Sequence, residues 1–139
     1  MSISFVLFSG VIILAWAALL ITWVLRQPKG NDKMNDISLA ISQGSNAFLV
    51  RQYRTVAMVA LPIIALLYIV FDVYTAVGFV LGAVASACAG IIGMLVSVRA
   101  NVRVAKAAES GLNRAMQVAF RGGAVTGFFV VGLGLLSVT

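Results

Sequence analysis

All ten lysine and arginine residues fall into two stretches, residues 26–54 and 99–121. Residues 1–25 and 122–139 carry no charged side chain, and residues 55–98 carry only Asp72. A helix needs about 20 apolar residues to cross the hydrocarbon core of a bilayer. The first and last runs therefore fit one crossing each, and the middle run fits two crossings that meet in a turn near Asp72. The pattern predicts four transmembrane helices, at about residues 3–25, 55–71, 76–98 and 118–138.

Composition supports an all-α membrane protein that forms one membrane domain over residues 1–139. Hydrophobic residues make up 62% of the chain and charged residues 10%, whereas about 25% of a soluble domain is charged. Because short loops rich in lysine and arginine stay in the cytoplasm, segments 26–54 and 99–117 are predicted to be cytoplasmic and the amino terminus to face outward. The net charge of +6 is explained by this topology, and no nucleic-acid partner is expected. The first charge-free run lacks the basic start of a secretory signal peptide. It is therefore expected to be retained as a transmembrane helix and not cleaved.

Few residues are available for catalysis. The chain has no histidine, which excludes a histidine-based zinc site, nucleophile or proton relay. The single cysteine, Cys88, lies within span three, so no intrachain disulfide can form and a packed apolar role is expected. Asp36 or Asn35 is expected to cap the second helix, and Glu109 to precede the break before the fourth. Nothing suggests a carboxylate cluster that could hold magnesium ions.

Small residues recur at every fourth position on span three. A ridge of this kind lets two membrane helices approach closely, and the same theme continues on span four. The residues predicted to pack helices together are Gly78, Gly82, Ser86, Gly90, Gly123 and Gly127.

Three basic residues, Arg99, Arg103 and Lys106, lie four and three positions apart on a predicted helical continuation of span three. This spacing places them on one cytoplasmic face. Such a face is able to meet a phosphate-bearing ligand, and the alternative is a topogenic role or contact with lipid headgroups.

Three segments together resemble the integral-membrane, ion-translocating inorganic pyrophosphatases. They are ISQGSNAFLVRQYRT at 41–55, GFVLGAVASACAGIIGMLVSVRANVRVAKAA at 78–108 and AFRGGAVTGFFVVGLGLL at 119–136. The resemblance extends from about residue 37 to the end. The family often has Glu-Gly-Ala where Gln43, Gly44 and Ser45 stand here.

The resemblance implies that these four helices are the N-terminal, outer-ring part of a larger helical pump. Such a pump couples hydrolysis of magnesium pyrophosphate to translocation of protons or, less expectedly here, sodium ions. The resemblance places the magnesium and pyrophosphate sites on later helices, so neither ligand is expected to bind this fragment. The implied partners are the lipid bilayer, the remaining helices and, in the full-length protein, a second copy in a homodimer. A bacterial inner membrane is the expected location.

An intact small four-helix membrane protein, either an assembly subunit or a transporter, is the alternative. Small multidrug exchangers carry a carboxylate inside the bilayer, and these spans contain none, which argues against the transporter. On either interpretation the 139-residue chain is predicted to have no pyrophosphatase activity alone.

Overall fold

A computed structural model describes residues 3–139 as four long helices joined by short connections. The helices are α1 (Ile3–Leu25), α2 (Asp32–Val70), α3 (Val73–Ala108) and α4 (Leu112–Val138). Each is long and apolar enough to cross a membrane. The all-α membrane fold predicted from the charge-free runs is thereby confirmed.

The helix boundaries follow from local polar groups. Asn31 caps α2, since its side-chain oxygen accepts a hydrogen bond from the Met34 amide at 2.9 Å. The cap predicted at Asp36 or Asn35 was therefore wrong, because the polar stretch that contains both residues is already helical. Gly111 has φ +114°, a conformation that glycine adopts readily, and it separates α3 from α4 where the break was predicted.

Helices α2 and α3 are longer than a bilayer requires. Their 39 and 36 residues correspond to roughly 58 and 54 Å, against a hydrocarbon core of about 30 Å. Both helices therefore continue without interruption into the segments rich in basic residues. The helical continuation predicted beyond span three is confirmed, and the first basic segment is helical from Asp32 onward.

The helices do not pack as a symmetric bundle. Helix α4 packs against both α1 and α3, and α3 also contacts α1 and α2. Among residues 3–139, α2 has no packing contact with α1 or α4, and Ser45 is its one buried residue. Three helices thus form the core, and α2 lies against the outer side of α3.

Buried positions in the core follow a seven-residue repeat. On α1 they are Gly10, Ala17 and Val24, and on α4 they include Val118, Val125 and Gly132. Seven residues turn a helix by about 700°, which returns the side chain to within about 20° of its starting direction. The repeat therefore keeps one narrow line of each helix against its neighbour over the whole length.

The predicted ridge of small residues on α3 does not follow this seven-residue line. A step of four residues rotates about 40°, so a run from Gly78 to Gly90 turns through about 120° and leaves any single contact line. Among the described residues, a side-chain carbon added at Gly78, Gly82, Gly123 or Gly127 would meet nothing within 4 Å, and Ser86 is exposed. Packing of these four glycines against another of the four helices is therefore not observed.

Close approach occurs at other glycines instead. Gly10 and Gly132 face each other across the α1–α4 interface, where an added side-chain carbon at either would lie 3.4 Å from the other's carbonyl oxygen. On α3, Gly93 lies against Thr126 of α4. These glycines let the backbones of the core helices approach each other.

One residue of the predicted ridge does contact another helix. A side-chain carbon at Gly90 would lie 2.5 Å from the hydroxyl of Tyr53, which donates a hydrogen bond to the Ala87 carbonyl at 3.2 Å. This contact joins α2 to α3. Cys88, expected to be packed, is exposed on the surface of the four helices.

Candidate functional site

The carboxyl ends of α1 and α3 and the amino ends of α2 and α4 lie together at one end of the molecule, which we call the basic end. Arg103 of α3 joins these elements. Its guanidinium donates a hydrogen bond to the Leu25 carbonyl at 3.0 Å and another to the Arg99 carbonyl. Leu25 is the last residue of α1, so the cation also meets the negative end of that helix dipole.

Arg103 is the most deeply placed charge at the basic end. It is 5% exposed, and its Nε atom has no hydrogen-bond partner among residues 3–139. Burial, and secondarily the nearby charge of Arg99, lowers the pKa of Arg103 from its ordinary value. An arginine remains protonated at neutral pH despite such a shift, so a positive charge is held close to the protein interior.

A second arginine also fixes the end of α1. The guanidinium carbon of Arg121, on α4, lies 4.0 Å from the centre of the Trp23 ring. A cation over an indole face at this distance is an attractive cation–π pair. The carboxyl end of α1 is thus held by one arginine from each of the two other core helices.

The structure separates the three cations predicted to share one face. Arg99 is exposed, Arg103 is buried beneath α1, and Lys106 forms an ion pair with Glu109 at 2.6 Å. Lys106 is therefore partly neutralised, and the three do not present one continuous exposed surface.

A cleft of about 520 Å³ lies between the first turns of α2 and the last turns of α3. Its basic lining residues are Lys29, Arg99 and Arg103, and its acidic lining residue is Asp36. The rest of the lining is uncharged: Asn35, Ser38, Leu39, Ser42, Val98 and Val102. The cleft combines cations with neutral hydrogen-bonding groups, which suits an anion.

Sequence reasoning missed most of this cleft. It found Arg99 and Arg103, but it did not connect them with Lys29 or with α2. A signal was present, because Asn35, Ser38 and Ser42 are spaced three and four apart and so share one face of α2. The sequence did not indicate that this polar face and the arginines of α3 would meet.

The acidic residues are distributed over both ends. Asp32 and Asp36 lie on the first turns of α2, and Glu109 follows α3 at the same end. Asp72 lies at the opposite end and caps α3 through a 2.7 Å hydrogen bond from the Thr75 amide. Within the described residues 3–139, no group of three or more histidine, cysteine, aspartate or glutamate side chains is arranged to hold a metal ion.

Tyr53 fixes the height of α2 beside α3. Its contacts with Ala87 and Gly90 lie well inside the charge-free run 73–98 of α3. Its neighbours Arg51 and Arg54 are consequently level with the middle of that run, and both are exposed on the four-helix unit. The membrane boundaries predicted at residue 54 on α2 and at residue 98 on α3 are therefore not level with each other along the helix axes.

Comparison with known proteins gives a consistent result. The family model described as inorganic H+ pyrophosphatase matches residues 11–139. A K(+)-insensitive pyrophosphate-energized proton pump of Methanosarcina mazei is 48% identical over 130 residues, which are 92% of this chain and 19% of that pump.

Two further relatives show the range of the match. The K(+)-insensitive pyrophosphate-energized proton pump 2 of Moorella thermoacetica is 50% identical over 94% of this chain and 19% of its own length. A K(+)-stimulated pyrophosphate-energized sodium pump of Thermotoga maritima is 43% identical over 88% of this chain and 17% of its own length. The chain therefore spans about a fifth of the length of the curated relatives it matches.

Proposed function

Since this chain belongs to the inorganic H+ pyrophosphatase family, we propose that it is the N-terminal helical part of a membrane pump driven by pyrophosphate hydrolysis. The observation that carries the proposal is the 48–50% identity to two proton pumps over more than nine-tenths of this chain. The sodium pump, at 43% identity, lies within the range of 38–50% found for the proton pumps, so identity alone does not separate the two ions. Proton translocation is proposed ahead of sodium translocation because the two relatives at 48–50% identity are both proton pumps.

The proposed role of the four helices is structural. Along the 39 residues of α2, one residue is buried, so nearly the whole surface of this helix is available to other helices of the pump. Arg51 and Arg54 support the same conclusion. An arginine facing lipid at the bilayer centre costs about 3 kcal/mol even on the mildest scales. We propose that the remaining helices cover this side of α2 and give both arginines polar partners.

Magnesium and pyrophosphate are proposed to bind elsewhere in the full-length pump. Hydrolysis of pyrophosphate needs several carboxylates around the metal ions and cations around the phosphates. In this chain Asp72 is at the opposite end from the other three carboxylates, and Glu109 is paired with Lys106. A homodimer of the full-length protein is also proposed, on the basis of the family resemblance.

The proposed orientation puts the basic end in the cytoplasm of a bacterial cell, with the amino terminus outside. Single cysteines at Asn31 or Ser110, in a Cys88→Ser background, should be shielded from an impermeant thiol reagent in intact cells. A cysteine at Ser2, which lies outside the described residues, should be labelled. Labelling at Asn31 and Ser110 with protection at Ser2 would reverse the orientation.

Activity measurements test the proposed function. The 139-residue chain in liposomes should release no phosphate from magnesium pyrophosphate above background, and the longest protein encoded by the gene should release phosphate and acidify the vesicle interior. An Asp36→Asn variant of the chain is the matched control. Magnesium-dependent phosphate release by the chain that disappears in this variant would show a catalytic site within these helices and contradict the structural role.

A further inference from the structure

We propose that the cleft between α2 and α3 at the basic end binds the phosphate group of an anionic membrane lipid or a free phosphate anion. Three cations line the cleft, Lys29, Arg99 and Arg103, against one carboxylate, Asp36. The excess of positive charge favours an anion. The inference does not depend on the pumping activity proposed above.

Arg103 adds a fixed positive charge beside the cleft. Two of its guanidinium nitrogens bind backbone carbonyls, and the residue is 95% buried. Its Nε atom has no partner among the described residues and is itself closed to solvent, so an anion in the cleft is attracted by the charge of Arg103 without a hydrogen bond to Nε.

The uncharged lining residues suit the same ligand. Asn35, Ser38 and Ser42 can each donate a hydrogen bond to a phosphate oxygen, and they come from one face of α2 opposite the arginines of α3. The volume of about 520 Å³ is in the range of small-molecule sites and leaves room for a headgroup.

The position of the cleft favours a lipid as the source of the phosphate. The charge-free run of α1 ends at Leu25, and that of α3 ends at Val98. Val98 lines the cleft, and Leu25 is hydrogen-bonded to Arg103, which also lines it. The end of a charge-free run is where the hydrocarbon is expected to give way to the headgroups. Leu39, Val98 and Val102 provide apolar lining on which an acyl chain or glycerol backbone can pack.

Lipid retention by the longest protein encoded by the gene tests the proposal. The protein is reconstituted in nanodiscs of phosphatidylcholine with added phosphatidylglycerol, released into mild detergent, and the bound lipids are counted by native mass spectrometry. Phosphatidylglycerol should be retained in preference to phosphatidylcholine. Each basic residue near a charged lipid contributes about a fivefold effect, so Lys29→Gln should weaken retention about fivefold and Lys29→Gln with Arg99→Gln roughly thirtyfold.

Two variants make the test specific to this cleft. Lys33→Gln removes the same charge four positions from Lys29, but Lys33 does not line the cleft, so retention should be unchanged. Asp36→Asn removes the opposing carboxylate and should strengthen retention several-fold. Arg103 is left intact because its loss would also release α1.

Competition separates the two sources of phosphate. Displacement of the lipid by millimolar inorganic phosphate supports a site that accepts the free anion, and resistance to displacement supports a headgroup held also through its chains. Equal effects of Lys29→Gln and Lys33→Gln would overturn the proposal, since they would indicate diffuse surface charge. The proposal would also be overturned if the protein showed no preference for phosphatidylglycerol and if inorganic phosphate showed no phosphorus-31 line broadening when mixed with the protein.

Discussion

Replacing Gly93 by alanine should loosen the interface between α3 and α4, because the new methyl group has no room. It would lie 2.7 Å from Cγ2, 2.8 Å from Oγ1 and 3.1 Å from Cβ of Thr126. Carbon atoms pack at about 3.5–4.0 Å, so the closest approach is roughly 1 Å too short. Both branches of Thr126 are close, and rotating the side chain exchanges one clash for another. The two helices must therefore move apart.

The size of this effect can be isolated by a matched substitution on the same helix. Overpacking of this kind costs about 1–3 kcal/mol, whereas replacing glycine by alanine within a helix gains about 0.5–1 kcal/mol. At Gly82 an added methyl group meets nothing within 4 Å, so Gly82→Ala should show only the gain. The free energy of unfolding of Gly93→Ala should therefore be about 1–3 kcal/mol below that of Gly82→Ala.

Unfolding in mixed micelles with increasing dodecyl sulfate measures the difference, with the fluorescence of Trp23 as the signal in a Trp16→Phe background. This indole is stacked under Arg121 of α4 and should respond when α1 and α4 separate. Thr126→Ala in the Gly93→Ala background removes the two nearest atoms and leaves a closest contact of 3.1 Å, so most of the lost stability should return. Equal stability of Gly93→Ala and Gly82→Ala would refute the overlap argument.

Three further substitutions test individual contacts. Arg121→Gln removes the cation from Trp23 and should lower stability by about 0.5–2 kcal/mol and alter indole emission, whereas Arg114→Gln, an exposed arginine of α4, should do neither. Tyr53→Phe loses the hydrogen bond to α3 and should cost about 1 kcal/mol, seen as a lower thermal midpoint. The hydrogen bond from the Thr75 backbone amide lowers the pKa of the Asp72 carboxyl from its ordinary value of 3.8. The stability that this cap contributes should therefore be present at neutral pH and be lost only as the pH falls through the lowered pKa. Acid should therefore destabilise Asp72→Ala less than the wild type; an equal loss of stability in acid would show that the cap is not the cause.

Much of the fold could be predicted from the placement of charge along the chain. A charged side chain inside the hydrocarbon is costly, so uninterrupted apolar runs mark where helices can cross. The turn at Asp72 and the break at Glu109 to Gly111 are set by local chemistry, and both were located correctly. The start of α2 was misplaced, because Asn31, Asn35 and Asp36 are all suitable caps and only the backbone geometry selects among them.

Which glycines pack helices together could not be predicted in the same way. A stripe of small residues is compatible with another helix or with lipid, since acyl chains are as apolar as leucine and provide no hydrophobic contrast. The structure uses Gly10, Gly93 and Gly132 in the core, while Gly78 and Gly82 meet none of the other three helices. The deciding factor is the relative rotation and height of whole helices.

The candidate site depends on the tertiary structure for the same reason. The sequence alone determined that Arg99 and Arg103 lie one turn apart at the end of a membrane helix, because helical periodicity is a local property. Only the packing of α3 against α1 and α2 decided that Arg103 is buried against the Leu25 carbonyl while Arg99 stays exposed. Contacts between residues 78 positions apart arise from the arrangement of entire helices, and no local pattern in the chain encodes them.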